Sequence, residues 1–187
     1  MHAKVTFRST AFALCLLVGL SAAGTGCGYA LAGRGSFLPA NIQTIGIPMF
    51  VNRTPIFNFE TQLTQKVRGE FIGRGRYRIV PEETGVDAVL SGDITAVSVS
   101  PTSFNAQQLA SRSTITIVAN IQLRDVKEDK VLWENPSLVF RQDYENTSST
   151  GQDVLDPAAF FSQEVNALER VSTDFSRAIV SSILEAF

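Results

Sequence analysis

Between Ser113 and Asp125, the residues Ile115, Ile117, Ala119, Ile121 and Leu123 occupy every second position, with Thr114, Thr116, Asn120, Gln122 and Arg124 between them. A period of two belongs to a β-strand, and polar intervening residues mean that one face of its sheet is covered while the other meets water. That pattern fixes the number of layers: the fold needs an apolar layer on one side of the sheet only.

Other segments supply the neighbouring strands. In Val86–Ser100, Val86, Ala88, Leu90 and Ile94 share a face, and beyond Ala96 the apolar phase slips to Val97 and Val99, as at a bulge. Lys127–Lys130 reads as a charged turn, and Val131–Asp143, with Trp133 and Phe140, returns as a third strand of a meander. Upstream, Arg76–Pro81 is a short strand with Tyr77 and Ile79 facing one way. Asn41–Val51 alternates Ile45, Ile47 and Met49, and Pro48 places it at an edge or late in a strand.

Two helices supply the covering layer. Phe59, Leu63, Val67 and Phe71 recur every four residues, with Asn58 placed to cap the helix and Gly73 to stop it. Asp156 is an N-cap and Pro157 a first helical residue, followed by Phe161, Val165, Leu168, Phe175 and Ile179 at helical spacing towards Phe187. Read as one continuous helix, that stretch is about 45 Å long. The expectation over residues 40–187 is an α+β fold, a two-layer sandwich with a mixed four-to-five-stranded sheet and two helices packed on one face.

The N-terminus reads as an export signal over residues 1–26. Lys4 and Arg8 precede the ten-residue apolar run Ala11–Leu20, then come the small or short polar residues Ser21–Gly26, and then Cys27. The run spans ~15 Å as a helix, about half a bilayer core, too short for a lasting membrane span. Gly24-Thr25-Gly26-Cys27 resembles the lipobox of bacterial lipoproteins, although the position three before the cysteine is Gly24 where an aliphatic residue is usual. Cleavage after Ala23 is the alternative. Acylation at Cys27 would anchor the chain in outer-membrane lipid, with residues 27–39 as a Gly-rich tether. It would also remove the one thiol left after Cys15 departs with the signal.

Composition excludes several chemistries. The chain carries a net charge of −2, and loss of residues 1–26 leaves 14 basic against 18 acidic residues. Nucleic-acid binding rests on Lys and Arg neutralising phosphates, so that class is set aside. His2 is the only histidine and falls in the signal, leaving no histidine for a triad or a metal site. Gly73-Arg74-Gly75 lacks the Lys-Ser/Thr of a phosphate loop. Glu82, Glu83, Asp125, Glu128 and Asp129 lie in turns, where carboxylates are ordinarily solvated. No catalytic, cofactor or metal residue is expected, although two separated carboxylates of the glycosidase kind leave no mark in sequence.

One cluster of charge stands out. Lys66, Arg68, Arg74, Arg76 and Arg78 place five cations within thirteen residues, the last three on one strand face if the strand begins early. Such a row either guards a sheet edge against aggregation or forms, with Arg112, a patch for an anionic partner.

Cys27-Gly28-Tyr29-Ala30-Leu31 resembles the mature start of the lipopolysaccharide-assembly lipoproteins, the LptE family, which typically reads Cys-Gly-aromatic-x-Leu. Ala88-Val89-Leu90-Ser91-Gly92-Asp93-Ile94 is similar to that family's Ala-Val-Leu-x-Gly-x-Ile strand. Trp133 after the charged turn and the order of elements fit as well. The resemblance implies a plug within the LptD outer-membrane β-barrel, assisting lipopolysaccharide delivery, with lipopolysaccharide itself a second contact. It implies lipopolysaccharide contact through basic residues in two loops, yet Pro101–Ser111 and Tyr144–Asp156 contain no Lys or Arg, and Arg112 is the nearest. Barrel binding is therefore the firmer implication. Ile45–Phe50 followed by Asn52-Arg53-Thr54 also resembles lipoproteins that regulate cell-wall synthases or form curli-type secretion channels, the alternative reading.

Overall fold

The computed structural model describes residues 38–106, 110–145, 156–163 and 165–187. The signal, Cys27 and most of the tether lie outside them. Six strands form one sheet: β1 (Thr44–Gly46), β2 (Val51–Asn52), β3 (Arg78–Val80), β4 (Ala88–Phe104), β5 (Ala110–Asp125) and β6 (Lys130–Glu145). Helix α1 (Phe59–Gly73) links β2 to β3. After β6 come α2 (Pro157–Gln163) and α3 (Val165–Leu184).

The sheet order is β3-β1-β4-β5-β6, with β2 also paired to β4. Strands β1 and β3 are parallel, Ile45 opposite Ile79, as a strand-helix-strand crossover requires. Strand β1 also runs parallel to β4, Ile45 opposite Ala88, and β4-β5-β6 form an antiparallel meander. The α+β, one-sided sandwich is thus the observed architecture. Ile115, Ile117, Ala119, Ile121 and Leu123 are all fully buried, as are Phe59, Leu63, Val67 and Phe71 of α1. The register shift between Ile94 and Ala96 is the bulge that the slipping phase announced.

Three local readings need correction. The Asn41–Val51 segment is two short strands, because Pro48 offers no N–H and β1 ends at Gly46. Met49 therefore does not continue the inward face; it is 50% exposed, while Phe50 turns inward at 2%. The Phe50 N–H donates to Thr64 Oγ1 at 3.0 Å, and its ring lies over Gly92. Asn58 precedes α1 in the left-handed region (φ 64°) and its side chain makes no capping bond. Helix α1 ends at Gly73, as read, and the chain is then turned by Gly75 (φ 70°).

Asp156 caps α2 as read, accepting the Ala158 N–H at 3.0 Å. The C-terminal helical stretch is described as two segments on either side of residue 164. Phe161, Leu168, Phe175 and Ile179 are buried; the side chain of Val165 lies outside the described residues.

Candidate functional site

The arginines of the charged run do not share a face. Strand β3 begins only at Arg78, so Arg74 stays at the helix C-terminus, bonded to Glu70 Oε1 (2.9 Å) and Ser181 Oγ (3.2 Å). Arg68 turns inward and donates to the Ile47 carbonyl at 2.8 and 2.5 Å, making it a strut between α1 and the chain after β1. Lys66 pairs with Glu169 at 3.0 Å across the helical layer. Arg76 and Arg78 remain exposed at the β3 margin, and the Arg78 side chain has no partner among the described residues.

Arg112 belongs to another region. It sits opposite Ser103 on β4 and opposite Glu145 on β6, whose carboxylate it meets at 2.9 Å. Arg78 lies beside Thr44, level with the start of β4 at Ala88. The intervening length of β4 is roughly 50 Å at the usual rise per residue. The candidate anionic contact at the sheet edge therefore reduces to Arg76 and Arg78, with Arg112 apart.

A pair of acids, Asp125 buried and Asp87 half-buried, escaped the sequence reading. Asp125, expected to be solvated, is 2% exposed and accepts bonds from Asn41 Nδ2 (3.1 Å), Lys127 N (2.8 Å) and Glu128 N (3.0 Å). Those bonds, the Glu128 N–H foremost, hold its pKa below the ordinary carboxylate value. Asp87 accepts the Lys127 ammonium (2.7 Å) and the N–H groups of Thr44 (2.9 Å) and Gln43 (3.1 Å). Its pKa falls to about 2, first because of Lys127 and then the two N–H groups. Together the pair ties the start of β1 to the β5–β6 turn. Every partner is a donor already committed to this clamp, so its role is architectural.

The opposite end of the edge carries a shallow depression of about 380 Å³, lined by Asn52, Thr54, Pro55, Ile56, Phe57 and Glu60. Asn52 Nδ2 spends its donors on Ile56 O (2.8 Å) and Glu60 Oε2 (2.9 Å). Among the described residues no three potential metal ligands cluster, and no helix is long and apolar enough to cross a membrane.

What the described surface does offer is a broad sheet face with no layer on it. Ser91, Asn120, Gln122 and Thr116 lie there, together with Arg53, bound to Asp93 at 2.6 Å. The Lipopolysaccharide-assembly family model, LptE, matches residues 42–183, from just before β1 to the last turn of α3. The chain belongs to the LptE family. No curated protein matches it. Among solved structures, the rare lipoprotein B of Shewanella oneidensis is 14% identical at TM-score 0.49, covering 77% of this chain and 96% of that one. A PelC dodecamer from Paraburkholderia phytofirmans is 16% identical at TM-score 0.47, covering 81% and 92%. A lipoprotein from Caulobacter crescentus is 12% identical at 0.45, covering 75% and 87%. These likenesses are too distant to bring a function with them; the family match alone makes this LptE-family chain a lipopolysaccharide-assembly protein.

Proposed function

We propose that the protein is an outer-membrane lipoprotein, acylated at Cys27, that seats in the LptD β-barrel and assists lipopolysaccharide transport. The observation that carries the reading is the family match across the whole folded region. It selects the first of the two sequence readings over the synthase-regulator or curli-type alternative. The reading is supported by the uncovered polar face, which suits the water-filled lumen of a large barrel, where interior side chains are polar. Nothing in this role calls for a catalytic residue, and none is assigned.

The test is co-purification from gently solubilised outer membranes. The expected result is a fixed stoichiometry with a large β-barrel and protection of the domain from protease. A native protein that elutes barrel-free from those membranes overturns the proposal. Arg76 and Arg78 are proposed as an anionic contact, lipid phosphate or acidic protein. Replacing both with Gln should weaken the assembly and flatten its salt dependence; unchanged binding at every salt concentration assigns them to edge protection.

A further inference from the structure

Among the described residues, strand β6 is the outermost member of the sheet, 16 residues long, paired on its β5 side only. A bare strand edge offers unpaired N–H and C=O groups to any second strand, and proteins ordinarily blunt it with lysine, proline or bulges. The first half of β6 is blunted in this way. Lys130 begins it, Pro136 interrupts it, and the register against β5 slips at Leu123/Arg124 and Ala119/Ile121.

The second half has none of these devices. From Leu138 to Glu145 the register with β5 is unbroken, Ala119 opposite Leu138 through to Arg112 opposite Glu145, with no proline or lysine. No loop or turn backbone bonds to this stretch among the described residues.

Its side chains are also self-complementary. Let a second β6 run antiparallel, with Gln142 facing Gln142 across a two-fold axis perpendicular to the sheet. Arg141 then stands opposite Asp143, and Phe140 opposite Tyr144, each pair occurring twice. Cross-strand neighbours lie about 4.5–5.5 Å apart at Cβ, close enough for guanidinium and carboxylate to meet. Arg141 is exposed and has no side-chain partner among the described residues, while exposed Asp143 is bonded to the Thr114 hydroxyl (2.6 Å). Centring the axis on Arg141 sets Arg141 against itself, and centring it on Asp143 sets Asp143 against itself although Arg141 then meets Glu145; of the three registers only the one centred on Gln142 has no like-charged pair. On the covered face, Phe140 packs tilted against Phe175 (5.2 Å) and Tyr144 meets Phe160 edge-to-face (5.7 Å), so the paired rings would continue the existing core.

We propose that the chain pairs with a second copy of itself through Leu138–Glu145, merging two sheets into one. Roughly six to eight backbone hydrogen bonds would form across the new ladder. The inference does not depend on the barrel reading, because it concerns the chain without a larger partner.

The test uses the full chain in mild detergent, with the protein mass followed by light scattering through a dilution series. The expected result is a mass of two chains that falls to one on dilution. Arg141→Asp and Asp143→Arg should each weaken pairing by roughly tenfold or more, because both cross-strand pairs become like-charged. The double variant Arg141→Asp/Asp143→Arg should recover it. A chain carrying Val139→Cys and Glu145→Cys should close into a covalent pair on mild oxidation, and one carrying Val139→Cys and Asp143→Cys should not. A wild-type mass of one chain at every concentration overturns the proposal. So does a two-chain mass that both single variants keep, a double variant that stays single, or the absence of the covalent pair.

Discussion

Gly92 sits within β4, opposite Ile121, and its importance comes from Phe50, 42 positions earlier in the chain. A Cβ added at Gly92 would lie 2.6 Å from two carbons of the Phe50 ring and 2.8 Å from a third. Ordinary contact begins near 3.4 Å, so the ring must retreat by about 0.8 Å in an interior packed to crystal density. It has little room to do so: Phe50 is 2% exposed, and its N–H is held by Thr64. Gly92→Ala should therefore destabilise the domain by about 1–3 kcal/mol, the usual cost of overpacking. In urea, where m is about 2 kcal/mol per molar, the midpoint should fall by roughly 0.5–1.5 M. Phe50→Ala alone should cost about 3–5 kcal/mol by leaving a cavity. The two together should cost less than their sum by about 1 kcal/mol or more, because the new methyl occupies space the ring vacated. Unfolding followed by Trp133 fluorescence measures all three. A Gly92→Ala midpoint equal to wild type, or strictly additive effects, refutes the argument that ring and glycine share one space.

Phe71→Ala should cost about 3–5 kcal/mol, since the fully buried ring packs edge-on against Tyr77 at 6.4 Å, whereas exposed Arg124→Ala should stay within about 0.5 kcal/mol; urea midpoints separate them. The folded-state pKa of Asp87 lies at about 2, below its ordinary value of 3.8, so its contribution is complete above about pH 4 and disappears as pH falls through 2. Asp87→Asn should remove about 1–2 kcal/mol of stability at neutral pH and flatten the acid limb over that window, as thermal melts at stepped pH will show. On the proposal that Cys27 carries the acyl anchor, Cys27→Ala should leave an unprocessed or soluble product, read by membrane fractionation and mass spectrometry.

What was legible in the sequence was whatever repeats with a period. The alternation from Ile115 to Leu123 and the four-residue stripe from Phe59 to Phe71 both name residues that are fully buried. Short, non-periodic stretches misled for identifiable reasons. Around Pro48 an alternation of three apolar residues continues on paper across a break that the missing N–H imposes, and Met49 and Phe50 exchange places. Asp125 looked like a solvated turn acid because, while the Lys127 and Glu128 N–H groups come from its own turn, Asn41 meets it only through the sheet order. The arginine row failed as a single patch because a strand starting at Arg78 leaves Arg74 on the helix. Gly92 stood in the sequence as part of a family-like motif, yet its partner Phe50 could be found only once β2 was seen beside β4.

Helix α3 contributes Phe175, Ile179, Val180 and Ile183 to the interior, each fully buried. They lie C-terminal to every strand of the sheet, so they are made after the surface they cover and follow it through any pore that threads the chain N-terminus first. Until they arrive, the side of α1 that meets α3, where Lys66 pairs with Glu169 and Arg74 bonds Ser181, stays uncovered. A polypeptide built in this order completes its core only when α3 docks. Loss of the final two turns, through a frameshift or a nick, would strip out Val180, Ile183 and Leu184 and leave a chain with an open interior, a ready target for envelope proteases.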